Sequence, residues 1–373
     1  MKIAIDASAA VRQLGGVSEY SYRIIQSLGE LASPHEFFLA TVGRDRSTLR
    51  ALPTLPHQFH EYPIRLPYRI LNWLWRTTGF PKLNFFLPKF DVFFAPHFLV
   101  PPVTARRMVV AVHDVLFLDH PEWFTPSDAQ RFREEIVRAC RLADHVLTLS
   151  EASKNSLIRH QLITAEKISI VHLAGDYTKP TTAELERVQQ KYSLPKEYFL
   201  FIGTVEPRKN IMRILTAYRE LRESGKTVIP LVIAGRRGWI GPEFDEAIAA
   251  FEPGAVHVLG SFSREDRDGL LAGATALVFP TLAEGFGIPV LEAMAAGIPV
   301  LTSNCSSLPE VAGDAALLVD PESIPAIAAG MHDLVTDHAL RERLVLAGLA
   351  RSKQFSWKKA AQETLAVLEK VGA

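Results

Sequence analysis

Residues 277–302 read LVFPTLAEGFGIPVLEAMAAGIPVLT. An apolar run, Leu277–Pro280, leads into a glycine-bearing turn. A helix of small residues follows, through Met294, Ala295 and Ala296. A second apolar run, Val300–Thr302, closes the stretch. Two strands joined through a helix form a parallel pair, because a tight hairpin cannot reverse the chain twice. Pro289 suits the first helical turn, where its missing N–H costs nothing. Glu284 stands before the helix. Glu292, eight residues on, stands about two turns inside it. A carboxylate within an apolar helix is costly to bury unless hydrogen-bonded, and a ribose diol would supply two donors.

The same alternation runs along the whole chain. In the first half, Ile3–Asp6 precedes the helical stretch Val17–Leu31. Then come Phe37–Thr41, Val92–Ala95, Val109–Val112, a helix around Pro126–Ala143, and Val146–Ser150. The pattern breaks around Gly175 to Pro180. A charged helical stretch, Ala183–Tyr192, crosses to a fresh series: Phe199–Gly203, the helix Ile211–Glu223, Leu231–Gly235, Val256–Gly260, Leu277–Pro280, Val300–Thr302 and Leu317–Val319. Each series opens with a strand and a glycine-bearing turn. Two doubly wound α/β domains with parallel sheets are expected, divided as 1–178 and 179–355, with a last helix in 356–373.

A chain of 373 residues fits two domains of ordinary size. Lys plus Arg number 41 and Asp plus Glu 41, which argues against bulk nucleic-acid binding, since that needs a cationic excess. Up to Asp176 the basic residues number 20 and the acidic 17; after it they number 21 and 24, so the halves differ in sign. Cys140 and Cys305 are too few for a disulfide framework and suit a reducing compartment. The start MKIAIDAS lacks the apolar stretch of a signal peptide, and no run reaches the roughly 18 apolar residues of a membrane span. A cytoplasmic protein is expected.

In open parallel sheets, ligands bind beyond the carboxyl ends of the strands, and between two such domains that region is a cleft. Three turns besides Glu284–Glu292 fall there. Gly15-Gly16 opens a helix; it either brings backbone N–H groups close to an anion or makes a tight turn. His113-Asp114 follows Val109–Val112; His113 either contacts substrate as donor, acid or base, or bonds a loop carbonyl structurally. His97 and His120 are weaker candidates beside their prolines. The third turn is Gly203-Thr204-Val205-Glu206-Pro207-Arg208-Lys209-Asn210. Adjacent cations at a helix start oppose the helix dipole, and a bound diphosphate would cancel that cost; the alternative is a solvated charge pair.

Glu284 and Glu292, with seven residues between them, match the E-x7-E signature of the group 1 (GT4) retaining nucleotide-sugar glycosyltransferases, which residues 280–321 resemble throughout. GTVEPRKN, GGVSEY, AVHDV and the FSW at Phe355–Trp357 lie where that family has its counterparts. The resemblance implies a GT-B fold, with the acceptor on the N-terminal domain, the sugar nucleotide on the C-terminal one, and a final helix that crosses back. It implies that Glu292 binds the ribose hydroxyls and Glu284 the donor sugar. Backbone N–H groups around Phe286, Gly287 and Ile288 would meet the sugar or phosphates. Arg208 and Lys209 would hold the diphosphate, helped by Gly16, and His113 would contact the transferred sugar. Many relatives carry an Arg where this chain has Thr204, which shifts more of the phosphate load to Arg208.

Breaking the anomeric bond builds negative charge on the leaving diphosphate, which fixed cations and N–H dipoles stabilise. Double displacement would need a carboxylate nucleophile about 5 Å from its partner acid. No residue presents itself for that role, so same-face attack, with the leaving phosphate taking the acceptor proton, is the expected course. The resemblance implies no metal or other cofactor. The one D-x-D, Asp266-Arg267-Asp268, lies in a helical stretch and reads as a solvated face.

The segment SSLPEVAGDAALLVDP is similar to bacterial mannosyltransferases of O-antigen and capsule assembly. That implies GDP-mannose as donor, with a UDP-sugar as the alternative, and a saccharide or lipid-linked saccharide as acceptor. From Tyr62 to Phe90 five basic residues, Arg65, Arg69, Arg76, Lys82 and Lys89, interleave with aromatics and no acid. That suits peripheral contact with the inner membrane leaflet; the alternative is a buried helix, Ile70–Trp75, under a loop. A GT-B epimerase or phosphorylase and a non-catalytic sugar-nucleotide binder are the competing classes.

Overall fold

The computed structural model describes residues 1–12, 15–43 and 49–373. The chain forms two compact units, Met1–Leu173 with Ser356–Ala373, and Ala174–Phe355. The sequence pattern set the first boundary at Thr178. The second unit begins earlier because Gly175 lies against its backbone. A Cβ there would stand 2.6 Å from the amide nitrogen of Glu292, so only glycine fits.

The first unit carries seven described strands: β1 (Lys2–Asp6), β2 (Glu36–Val42), β3 (Phe59–Ile64), β4 (Val92–Ala95), β5 (Arg107–Val112), β6 (His145–Thr148) and β7 (Ile168–Ile170). Their order is β3-β2-β1-β4-β5-β6-β7, and every pairing is parallel. The central strands are continuous apolar runs, as a sheet covered on both faces requires. β3 and β7 escaped the sequence pattern. β3 (FHEYPI) is an edge strand whose apolar run is broken by His60, Glu61 and Pro63, and β7 has only three residues.

The helix Trp357–Gly372 belongs to this unit. It packs on the helix Gly16–Gly29 and along β4, β5 and β6. Glu369 Oε1 lies 2.8 Å from His35 Nε2, and the Tyr20 and Trp357 rings stand 6.4 Å apart.

The helix Tyr68–Thr78 is amphipathic. It buries Leu71 and lays Trp75 on the core, where the indole N–H donates to the Pro81 carbonyl at 2.7 Å. Its other face is open: Ile70 and Trp73 are 56% and 61% exposed, beside exposed Phe80 and Phe85. A helix buried under a loop is therefore only one stripe of the truth. Arg65, Arg69, Arg76, Lys82 and Lys89 are all exposed around it. No helix among the described residues is long and apolar enough to cross a membrane.

The second unit carries β8 (Phe199–Ile202), β9 (Leu231–Ala234), β10 (Val256–Gly260), β11 (Ala276–Phe279), β12 (Val300–Ser303) and β13 (Leu317–Val319). The order is β10-β9-β8-β11-β12-β13, again all parallel. In each sheet the order reverses once, between β1 and β4 and between β8 and β11. Such switch points leave a crevice beyond the carboxyl ends of the two central strands.

Asp266-Arg267-Asp268 does lie in a helix, Arg264–Ala272, but the solvated face is a misreading. Asp266 is fully buried. Arg187 Nη1 donates to it at 2.8 Å, Lys191 Nζ at 2.5 Å and the Tyr192 hydroxyl at 2.9 Å. The donors come from the helix Thr182–Lys191 and its end, whose side chains cover the carboxylate from solvent. Burial opposes ionisation of Asp266, yet the bonds from Lys191, Tyr192 and Arg187 outweigh it and hold the carboxyl well below its ordinary range.

Because Arg187 and Lys191 are half exposed, the clamp is screened by water. Asp266→Asn should destabilise the second unit by about 1–2 kcal/mol at pH 7. A depressed carboxyl stabilises above its unfolded pKa, and that contribution fades as pH falls through the folded value. Urea titrations should therefore show wild type and variant converging in strongly acidic buffer.

Candidate active site

The turns after β8 and β11 carry the densest charge in the second unit. Residues 207–209 form one turn of 3-10 helix ahead of the helix Ile211–Glu223, with Asn210 in the left-handed region at φ 62°. The Asn210 amide donates to the carbonyls of Pro280 at 2.8 Å and Pro321 at 2.7 Å. The Leu282 N–H donates to the Arg208 carbonyl at 2.9 Å. These bonds stitch the two turns together.

Arg208, Lys209 and Glu284 meet there. Lys209 Nζ donates to Glu284 Oε1 at 2.6 Å, and Arg208 Nη1 to Glu284 Oε2 at 2.9 Å. Arg208 also bonds Glu206 Oε1, at 2.7 Å through Nη2, and the Ala283 carbonyl at 3.0 Å. Glu206, Lys209 and Glu284 are buried. Burial works against the Glu284 carboxylate, but Arg208 and Lys209 overcome it and hold its pKa below the ordinary range. Burial also draws the Lys209 ammonium down, with Glu284 resisting. The cations that seemed to lack a counter-charge are thus balanced by Glu206 and Glu284. Sequence reasoning missed Glu206 as a partner, although it stands only two residues from Arg208.

The loop from Glu284 into the helix Ile288–Ala296 rests on serines after β12. The Ser306 hydroxyl donates to the Glu284 carbonyl at 2.8 Å and accepts from the Glu284 N–H at 3.1 Å. Ser307 donates to the carbonyls of Glu284 at 2.9 Å and Phe286 at 2.7 Å. Gly287, at φ 114°, caps the helix, and a Cβ there would meet Leu308 at 2.7 Å. The Phe286 ring is buried and edge-on to Phe355, so only its backbone can meet a ligand. Ile288 and Pro289 begin the helix, where first-turn N–H groups have no partner within the helix. The run SNCSS, just after a strand, was the sequence signal for this scaffold.

Glu292 is buried inside the helix, and its Oε1 accepts from Arg267 Nη1 at 2.6 Å. The donor that its burial demands is thus present in the chain itself. Arg237, after β9, donates through Nη1 to Asp245 Oδ2 at 2.6 Å.

In the first unit, Asp6 ends β1, and His97 and His113 come just after β4 and β5, around the switch point. His113 Nε2 lies 3.0 Å from the Pro96 carbonyl, and the Tyr20 ring stands edge-on at 4.5 Å. Burial, partly opposed by the Pro96 bond, lowers its pKa to about 4. The imidazole is therefore neutral near pH 7, with its proton on Nε2 for the carbonyl, so Nδ1 can accept but not donate. With Nε2 given to the Pro96 carbonyl, the ring atom left for a ligand is Nδ1, an acceptor in this tautomer. His97 Nε2 lies 3.7 Å from Asp6 Oδ2, and Nδ1 is buried without a hydrogen-bond partner. Burial, foremost, lowers the pKa of His97. The flanking prolines had hidden this pair. Gly16 is the first residue of its helix, and Gly15 takes the positive φ of 91°. A Cβ on Gly16 would meet nothing within 4 Å.

Two parallel-sheet α/β units with charged turns at the switch points are the architecture of the GT-B fold. HepE of Anabaena, solved with UDP and glucose, matches with a TM-score of 0.72 over 99% of this chain and 100% of that one, at 17% identity. WaaG, a glycosyltransferase involved in lipopolysaccharide biosynthesis, gives 0.70 over 99% of each, at 17% identity. Residues 183–350 match the family described as glycosyl transferases group 1, and residues 14–177 match glycosyltransferase family 4. The O-antigen chain mannosyltransferase B of Escherichia coli is 37% identical over 74% of this chain and 73% of its own length. The MMP alpha-(1->4)-mannosyltransferase of Mycolicibacterium hassiacum is 31% identical over 99% of this chain and 98% of its own. The chain belongs to the group 1 glycosyl transferases.

The lowered pKa of His113 has a measurable sign. Between its ordinary and folded values the unfolded chain binds the extra proton, so stability falls as pH drops. On going from pH 7 to pH 4, wild type should lose about 2–3 kcal/mol more than His113→Gln. Urea melts at the two pH values measure the difference.

Proposed function

We propose that the protein is a retaining hexosyltransferase that moves mannose from GDP-mannose to a saccharide or lipid-linked saccharide in cell-surface polysaccharide synthesis. The observation that carries the reading is the meeting of Lys209 and Arg208 on Glu284 at the ends of β8 and β11. The mannosyl assignment rests on the names of its relatives.

In this reading Lys209 and Arg208 extend their charge to the leaving diphosphate, joined by N–H groups of Gly287 and Ile288. No metal is required, because fixed cations supply that charge. Glu284 accepts from hydroxyls of the donor sugar, and Glu292 from the ribose. Each Glu284 oxygen already holds a cation, which makes the carboxylate a poor nucleophile. That favours same-face attack over double displacement. The leaving phosphate oxygen takes the acceptor proton. Gly16 and His113 complete the assignment from the first unit, with His113 accepting from the transferred sugar.

The acceptor reading extends to the membrane. Trp73, Ile70, Phe80 and Phe85 give an exposed apolar face, ringed by Arg65, Arg69, Arg76, Lys82 and Lys89. Tryptophan favours the headgroup region, and the cations complement anionic lipid.

Four measurements test these statements. Wild type should hydrolyse GDP-mannose slowly without acceptor, in EDTA as in its absence. Glu284→Gln and Lys209→Met should each lower kcat/KM for transfer about a hundred- to a thousandfold. A thermal shift with neither GDP nor UDP at millimolar concentration would overturn the reading, and a shift with UDP alone would move the donor to a UDP-sugar. Sedimentation with anionic vesicles should be lost in the triple variant Arg65→Glu, Arg69→Glu, Arg76→Glu; unchanged sedimentation sinks the membrane contact.

A further inference from the structure

Arg267, the middle residue of the D-x-D, has no part in the reaction as described so far. Its guanidinium is nevertheless almost wholly used within the second unit. Nη1 donates to Glu292 Oε1 at 2.6 Å. Nη2 donates to the Asp176 carbonyl at 2.6 Å and to Asp268 Oδ1 at 2.8 Å, and Nε reaches the same Asp268 oxygen at 3.0 Å. Arg264, one turn earlier, bonds the Asp176 side chain at 3.0 Å. Gly175 closes the arrangement by lying against the backbone of Leu291 and Glu292.

We propose that Arg267 is a positioning residue for the nucleotide ribose, acting through Glu292. This rests on the reading of Glu292 as the ribose carboxylate. A buried carboxylate needs a counter-charge to stay an acceptor, and Arg267 is the cation bonded to it. Its other bonds, to Asp176 and Asp268, fix the planar fork, so the carboxylate it holds is fixed in turn. The Arg267 bond takes one of about four lone-pair sites that a carboxylate offers to donors such as a diol. The D-x-D thereby has two structural duties. Asp266 anchors the helix Arg264–Ala272 to the helix Thr182–Lys191, and Asp268 steadies Arg267.

The test compares affinities for GDP and 2′,3′-dideoxy-GDP, with UDP and its dideoxy form in parallel, by calorimetry. Wild type should prefer the intact ribose by roughly tenfold or more. Glu292→Gln should reduce that preference, and Arg267→Met should reduce it to a similar extent while leaving affinity for the dideoxy nucleotide within about twofold. In Arg267→Lys, which keeps the charge without the fork, the preference should be intermediate; this variant also serves if Arg267→Met does not fold. A merely structural arginine would weaken both nucleotides equally. If Glu292→Gln loses the preference and both Arg267 variants keep it, the positioning role is overturned. If Glu292→Gln also keeps it, the ribose reading itself fails.

Discussion

The neutralisation of Glu284 is the constraint on which the second unit's site depends. A carboxylate with so little exposure would be driven to protonate unless cations reach both its oxygens. Lys209 and Arg208 do so, and both come from the turn after β8, whereas Glu284 comes from the turn after β11. The two turns meet because β8 and β11 are neighbours at the point where strand order reverses. Asn210 and the backbone bond between Leu282 and Arg208 then set their spacing. The ion network and the sheet topology therefore require each other.

The same logic recurs twice more in this unit. Asp266 is held by Arg187, Lys191 and Tyr192, and Glu292 by Arg267. Each of these buried acids is bonded by a cation from another part of the chain. This suits a ligand rich in hydroxyl groups, since a carboxylate that accepts firmly from cations can also accept from O–H donors.

The first unit handles its charges differently. His97 and His113 are both drawn towards neutrality by burial, and one of them bonds a backbone carbonyl. The outer surface around the helix Tyr68–Thr78 instead concentrates exposed aromatic, aliphatic and basic side chains. Five basic side chains of the first half, Arg65, Arg69, Arg76, Lys82 and Lys89, are exposed in that segment, whereas Arg208, Lys209 and Arg267 of the second half are engaged by buried carboxylates.

Much of the fold was legible from local pattern. Continuous apolar runs such as Val109–Val112 and Leu277–Phe279, separated by helical stretches, dictate parallel strands, and Pro289 and Gly297 bracket their helix as backbone chemistry requires. The sequence by itself also placed Arg208, Lys209 and Glu284 in turns that follow strands and Glu292 in the helix beyond, because glycine and proline mark those turns. It could not assign their partners. Apart from Glu206 with Arg208, those bonds link residues some 25 to 90 positions apart, as in Arg267 with Glu292 or Arg264 with Asp176. Nor could it tell that Asp266 is buried, since helical periodicity shows a polar residue but not the helix packed above it. Only the tertiary structure decided which acid meets which cation, because pairing energy depends on distance and burial, and neither is a property of local sequence.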